Sequence, residues 1–370
     1  HRGDVFLTIL AKSKKPDIRQ RSDKFGTTLY LSLSLYKKCA MVKLCRVVSM
    51  PLISALILIF ASCERKYFSS DGVIWCTSYH IVYSGDRPLD DSIAGIMRQI
   101  DNELSIFNPM SEVSAVNACT SDSVGLHFRN VFAIAREVHR LSGGSYDVSV
   151  GPLAALWGFG PSGEQGSPDS AAIAEALDAV GLGSCSIAGG IVHKKRASTC
   201  FDFSSVAKGY GVKTIADMLA RNGCTDFMVE VGGEVELQGK NPRGDRWRIQ
   251  VDAPVGGNTH QRHSVLALGP ERTAVASSGN YRNVRTDSAG NVYGHTIDPV
   301  SGMPVQTDVL AATVVETDCG FADALATACM TMPAADAIAM LEACETPGML
   351  IVSSGDTIAT VVTANFPVLE

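Results

Sequence analysis

Four stretches of this 370-residue chain crowd glycine and polar residues into otherwise apolar surroundings, and each has a composition that can do chemistry. The first, Gly143-Gly144-Ser145-Tyr146-Asp147-Val148-Ser149, runs on to Leu156-Trp157-Gly158-Phe159-Gly160. Glycines beside aromatics let a planar ligand reach the backbone and stack on a ring, although the same residues also make a turn over a small aromatic core. In the second, Asp202-Phe203-Ser204-Ser205-Val206-Ala207-Lys208-Gly209-Tyr210-Gly211, a strand feeds a helix whose first turn carries a lysine. Free N–H groups and a cation at a helix start suit a phosphate or other anion. A Ser-capped helix with a solvated lysine fits equally. The third, Val231-Gly232-Gly233-Glu234, is either an anion-binding nest or a hairpin turn. The fourth joins Ser277-Ser278-Gly279-Asn280-Tyr281-Arg282 to Gly294-His295-Thr296-Ile297-Asp298-Pro299 and then to Asp323-Ala324-Leu325-Ala326-Thr327. Asp323 and Thr327 are four apart on one helix face and can present a carboxylate and a hydroxyl to one Mg2+. The alternative is a helix N-cap and a back-bonded hydroxyl. His295 reads as a base or as a hydrogen-bonded histidine, and Asp298-Pro299 as a turn.

The hydrophobic pattern marks out the elements that must position these residues. A strand is expected over 73–83, after a polar tether around Ser69-Ser70-Asp71-Gly72, and an amphipathic helix over 88–104 with Leu89, Ile93, Ile96, Ile100 and Leu104 on one face. Val131, Ile134, Val138 and Leu141 mark a second helix ended by Gly143-Gly144, and Ile173, Leu177 and Val180 a third after the loop 161–168. Strands follow at 185–193 across Gly189-Gly190 and at 199–203, then a helix over 206–221. Strands are expected at 227–237, 247–251 and 309–315, helices at 321–330 and 334–344, and closing strands at 349–352 and 357–362. Strands and helices mix without βαβ alternation, which points to a single α+β domain of mixed or antiparallel sheets with flanking helices.

Charge is divided unevenly. Residues 1–62 hold 11 Lys/Arg against 3 Asp, leaving 21 Lys/Arg against 35 Asp/Glu beyond them. So acidic a body excludes nucleic-acid binding, which draws its affinity from neutralised phosphates. Residues 1–40 begin with His1, are basic, and read as an over-extended start or as residues added for expression. From Met41 the chain shows a basic n-region, an apolar run over 47–60, and Ala61-Ser62-Cys63. That run of 14 residues is short for a membrane span, which needs about 20. The expected organisation is a signal peptide over 41–62, a tether over 63–72 lipidated at Cys63, and a catalytic domain over 73–370. A plain cleaved signal or a membrane anchor fits the same residues. Nine cysteines remain from Cys63 on, without zinc-like spacing.

Taken in order, the four stretches resemble the ApbE family, the FAD:protein FMN transferases. The likeness runs from about Trp75 to Met332, and Glu103, Ser105, Phe107, Ser111-Glu112 and Asn117 resemble that family's N-terminal motif. The resemblance implies a T-fold-like α+β domain that takes FAD as substrate and Mg2+ as cofactor. It implies that Phe107, Asn117 and Gly144, Ser145, Tyr146 and Asp147 border FAD, that Asp202 and Lys208 hold the nucleotide beside Gly233, and that His295 and the Ile297 backbone lie along it. Mg2+ would rest on Asp323, Thr327 and the Ser205 carbonyl, and His295 rather than Asp323 would be the base. The expected reaction moves FMN onto a Ser or Thr hydroxyl of an extracytoplasmic acceptor domain, such as a subunit of a membrane redox complex, and releases AMP. The expected place is the periplasmic side of the bacterial inner membrane, held by the N-terminal lipid. An FAD pyrophosphatase, a flavin-binding lipoprotein without chemistry and a structural surface lipoprotein are the competing readings. Ser149 stands where the family often has Thr, Asn280 where it often has Asp, and Ser204-Ser205 where Gly or Ala is usual.

Overall fold

The computed structural model describes residues 66–368 apart from 162–167, 256–260, 281–283, 287–289, 291 and 356, all within one compact unit. The segments 1–40 and 41–62, Cys63, Tyr281-Arg282 and most of the loop 161–168 lie outside the described residues. Strand pairing begins earlier than expected. Ser69-Ser70-Asp71-Gly72, read as tether, belongs to β1 (Tyr67–Ile74), which pairs along its length with β2 (Thr77–Ser84). β1 is an edge strand with much of its surface wet, so its polar composition imitates a linker. The two residues joining the strands, Trp75 and Cys76, have φ of 50° and 61°. Two-residue hairpins usually place Asn-Gly in that left-handed geometry, so this turn is strained.

The amphipathic helix α1 (Asp90–Leu104) buries Ile93, Met97, Ile100 and Leu104. It is followed by α2 (Glu112–Asn117), capped by Ser111, then α3 (Leu126–Leu141), α4 (Gly151–Leu156), α5 (Ser170–Asp178) and the small hairpin β3 (Ser186–Ala188) and β4 (Ile191–His193). Residues 199–203, expected as a strand, make one parallel bridge between Val150 and Cys200 and an Asp202 N–H bond to the Val148 carbonyl at 2.7 Å, and are otherwise held largely by side chains. The helix α6 (Ala207–Arg221) leads to the hairpin β5 (Phe227–Val231) and β6 (Glu234–Gln238). Then come the ribbon β7 (Trp247–Asp252) and β8 (Arg262–Leu268), strand β9 (Thr273–Gly279) and the hairpin β10 (Val284–Thr286) and β11 (Val292–Gly294). Strand β12 (Val309–Glu316), helices α7 (Cys319–Cys329) and α8 (Ala334–Ala343), and strands β13 (Gly348–Ser354) and β14 (Thr357–Val362) complete the unit.

Eight strands form one antiparallel sheet in the order β1-β2-β5-β6-β9-β12-β13-β14, giving the α+β class expected. β9 joins its halves, yet Thr-Ala-Val-Ala-Ser-Ser-Gly is too small and polar to advertise a central strand. The small residues are needed because α7, itself rich in alanine, lies against β9. Small side chains on both let helix and strand approach closely. Period two in β6 sends Val235 and Leu237 toward the β7–β8 ribbon, where they meet Trp247, Ile249 and Leu266. Glu234 and Glu236 therefore face the helices. All eight described cysteines are free thiols, and no helix among the described residues is long and apolar enough to cross a membrane.

Candidate functional site

The seam between α6 and α7 places the first functional group. A Cβ at Gly209 would lie 2.2 Å from the Cys319 carbonyl oxygen and 2.6 Å from the Asp323 Cβ, so only glycine permits this approach. At that distance the Gly209 N–H donates to Asp323 Oδ2 at 3.0 Å. In a longer helix it would serve the Ser205 carbonyl, which accepts no backbone hydrogen bond among the described residues. Lys208 is not a solvated surface lysine. Its Nζ donates to Glu234 Oε1 at 2.8 Å and lies 3.8 Å from Asp323 Oδ2. Burial opposes its charge, but the Asp323 and Glu234 carboxylates prevail and hold the ammonium above its ordinary pKa. Glu234 is nearly fully buried. Burial pushes its carboxyl up to about 7, Lys208 pulls the other way, and Asp323 adds to the rise.

A second wall comes from the glycine-aromatic stretch. The hydroxyls of Tyr146 and Ser205 hydrogen-bond at 2.9 Å, tying that turn to the start of α6. Burial raises the Tyr146 hydroxyl above its usual pKa, with the Ser205 bond opposing. Asp147 lines the pocket but its oxygens are engaged. Oδ1 accepts from the Ser149 N–H at 2.7 Å and hydroxyl at 2.6 Å, and Oδ2 from the Leu182 N–H at 3.1 Å. Asp202 Oδ1 likewise accepts from the Ser204 N–H at 2.9 Å and hydroxyl at 2.5 Å. Asn117 does not reach the pocket. Its amide clamps Phe201, donating to the carbonyl at 2.9 Å and accepting from the N–H at 2.8 Å, and so positions the neighbouring Asp202. Glu103 is structural too: it accepts from the His127 and Phe128 N–H groups and caps α3.

The third wall is a loop pair. Trp157 Nε1 donates to the Gly302 carbonyl at 2.8 Å, and Ile297 packs with Leu153 and Trp157. His295 meets the Phe159 ring edge-on at 6.3 Å, and Asn280 Oδ1 accepts from the Thr296 hydroxyl at 2.7 Å. The Ser278 and Thr327 hydroxyls hydrogen-bond at 3.0 Å, which sets Thr327 beside the end of β9.

Together these walls enclose a pocket of about 770 Å3. Of the residues expected at a site, Phe107, Ser145, Tyr146, Asp147, Asp202, Ser205, Lys208, His295, Ile297, Asp323 and Thr327 line it. Phe107 stands 60% exposed and so forms rim rather than floor. Asn117, Gly144 and Gly233 are not among the lining residues. The Gly232-Gly233 pair is a hairpin turn with φ of 63° and 102°, and the Gly233 N–H donates to Glu230 Oε1 at 2.7 Å, leaving no nest for an anion. Glu234 and Ser278, which stand in the third and fourth stretches without an expected role, line the pocket too, as does Trp75. Glu234 could have been found, because an acid opening an apolar strand needs a buried partner.

Asp101, Asp147, Asp202, Glu234 and Asp323 face this space against the single ammonium of Lys208 among the described lining residues. No three His, Cys, Asp or Glu side chains converge as metal ligands among the described residues. A divalent ion would therefore rest on one carboxylate and neutral oxygens. Asp323 Oδ1, the Thr327 hydroxyl and the Ser205 carbonyl are such a set, since Oδ1 accepts no hydrogen bond among the described residues. Hard oxygen donors with room for ligand and water suit Mg2+.

The model of the ApbE family matches residues 76–351. The chain belongs to the ApbE family. A relative from Vibrio cholerae, named FAD:protein FMN transferase, is 33% identical over 317 residues, covering 82% of this chain and 93% of its own. Solved structures agree. The flavin transferase ApbE from Vibrio cholerae superposes with a TM-score of 0.72 at 31% identity over 82% of this chain and 98% of its own. The apo flavinyl transferase ApbE of Pseudomonas stutzeri gives 0.73 at 29% over 81% and 95%. As a family member this chain is an enzyme, and its pocket lies wholly within the matched span except for Trp75.

Proposed function

We propose that this enzyme transfers FMN from FAD to a Ser or Thr hydroxyl of an acceptor protein, releasing AMP and requiring Mg2+. The observation that carries the reading is the α6–α7 seam. There Asp323, Thr327 and the Ser205 carbonyl stand beside Lys208 in a pocket large enough for a dinucleotide. The names of the relatives supply the substrate.

The acceptor hydroxyl oxygen bonds to the FMN-side phosphorus, the bond from that phosphorus to the bridging oxygen breaks, and AMP departs with that oxygen. His295 takes the hydroxyl proton. Asp323 Oδ1, the Thr327 hydroxyl and the Ser205 carbonyl would hold Mg2+, which would supply positive charge to offset that on the phosphoryl oxygens. Lys208 offers its remaining N–H groups to the phosphates while Glu234 keeps it in place. Tyr146 and Ser145 border the nucleotide, with Asp202 and Asp147 shaping the turns beneath it. The signal-like segment and Cys63 support a lipid-anchored enzyme on the periplasmic side of the inner membrane, facing extracytoplasmic domains of membrane redox complexes.

The test is to incubate the protein with FAD and Mg2+, with and without an acceptor domain, and to follow AMP, free FMN and acceptor mass. AMP matched by FMN bound to the acceptor is the expected result. AMP with only free FMN would make the enzyme a pyrophosphatase, and FAD left intact in both arms would refute catalysis.

A further inference from the structure

Glu234 opens β6 at the pocket wall and is 3% exposed. Oε1 accepts from Lys208, while Oε2 is buried and has no hydrogen-bond partner among the described residues. A buried carboxylate oxygen without a donor is costly, and native proteins rarely keep one without a use. The backbone that carries this side chain is fixed in place. Glu234 is paired with Val231 across the Gly232-Gly233 turn, and a Cβ at Gly232 would already meet Thr77 at 2.8 Å.

We propose that Glu234 is a ligand-contacting residue whose Oε2 accepts a hydrogen bond from a hydroxyl of the bound dinucleotide, on its ribityl chain or its ribose. This rests on the reading of the pocket as an FAD site. The class of partner follows from chemistry. In its ionised form, the one paired with the Lys208 ammonium, the carboxylate only accepts, and phosphate oxygens also accept and carry like charge, so a hydroxyl rather than the pyrophosphate is its complementary partner. The donors nearest to a pyrophosphate held at Lys208 are the hydroxyls of the two arms that flank it. Lys208 on one oxygen and a sugar hydroxyl on the other would satisfy the carboxylate and index the dinucleotide along the pocket.

The test measures binding of FAD, FMN and ADP to the full-length protein and to Glu234→Gln by calorimetry. The amide oxygen of that variant can still accept from Lys208, while its NH2 replaces the acceptor. FAD is expected to bind roughly ten- to a hundred-fold more weakly. Loss shared by FMN assigns the ribityl hydroxyl, and loss shared by ADP assigns the ribose. Deoxy analogues of the affected arm should bind wild type with a similar loss but show no further loss against Glu234→Gln. A role confined to steadying Lys208 would leave the two losses additive, and that result overturns the proposal. So does FAD affinity unchanged in Glu234→Gln. If the variant does not fold, the deoxy series on wild type decides alone: affinities all within twofold overturn the proposal. Wild type that fails to bind FAD refutes the FAD-site reading itself.

Discussion

Gly209→Ala is the substitution that most directly probes how the site is built. The new Cβ would sit 2.2 Å from the Cys319 carbonyl oxygen, 2.8 Å from its carbon and 2.6 Å from Asp323 Cβ. Two of these atoms are backbone, so no side-chain rotation relieves the clash. On the opposite side of the seam a Cβ at Gly320 would lie 3.1 Å from Tyr210 Cα, so the helices cannot slide past one another freely. Restoring ordinary contacts of about 3.5 Å requires α7 to withdraw by roughly 1 Å. Overpacking costs about 1–3 kcal/mol, and loss of the Gly209 hydrogen bond to a buried carboxylate costs about 1.5–3 kcal/mol. Alanine's better helix propensity returns about 0.5–1 kcal/mol. The expected net destabilisation is about 2–5 kcal/mol, read from urea unfolding followed by circular dichroism. Asp323 moves with α7, so AMP release from FAD should fall on the order of a hundred-fold, the usual consequence of a 1 Å misplacement. Gly95→Ala is the control: its Cβ meets nothing within 4 Å in the interior of α1, and it should stabilise by about 0.5–1 kcal/mol. A Gly209→Ala protein with wild-type stability and activity within twofold would refute the argument that this glycine places Asp323.

Three further outcomes follow from the same geometry. Asn117→Ala leaves the Phe201 N–H and carbonyl unpaired and should cost about 1–3 kcal/mol, with KM for FAD rising more than kcat falls because Asp202 is loosened; an unchanged KM would detach Asn117 from the site. Burial pushes the Glu236 carboxyl up to about 7 against the pull of Arg272, so the folded chain keeps a proton that the unfolded chain loses above about 4.3. Stability should therefore fall as pH rises from about 4.3 to 7, and Glu236→Gln should flatten that fall in Tm, Glu234 supplying what remains; an unaltered slope would mean that Glu236 titrates normally. Cys76→Gly relieves a left-handed residue and should raise stability by about 1 kcal/mol, whereas a lower Tm would show that the thiol packs usefully.

The parts of the fold legible in the sequence were those set by local periodicity. α1 and α3 declared themselves through apolar positions three and four apart, and the β5–β6 and β3–β4 hairpins through paired glycines. β9 did not, because its alanines and serines answer to α7 across the layer rather than to any pattern of its own. The same division runs through the site. Asp323 and Thr327 could be paired because four residues of helix bring them together, whereas the Asn117 clamp closes over 84 residues and is invisible without the fold. Gly232-Gly233 was ambiguous until the register showed Glu230 taking the Gly233 N–H. The role of Glu234 depended on Lys208, 26 residues earlier on another element.

Among the described residues the pocket is walled by five acidic side chains and one ammonium, a poor host for a pyrophosphate, and this links the two ligands energetically. Unit charges 4 Å apart interact by about 4 kcal/mol at an effective dielectric of 20, so the carboxylate of Asp323 alone can offset much of what Lys208 offers. Lys208 is moreover already engaged with Glu234 at 2.8 Å and stands 3.8 Å from Asp323. FAD affinity should therefore rise sharply with Mg2+, and by thermodynamic reciprocity Mg2+ affinity must rise by the same factor with FAD. Asp323→Asn separates the two effects. Removing the carboxylate's charge should strengthen FAD binding in EDTA, while the gain from added Mg2+ disappears and transfer is abolished. Calorimetry of wild type and variant, each in EDTA and in Mg2+, closes the cycle. If the variant binds metal-free FAD no better than wild type, repulsion by Asp323 is not what the metal relieves; if it still gains affinity from Mg2+, the ion is held elsewhere.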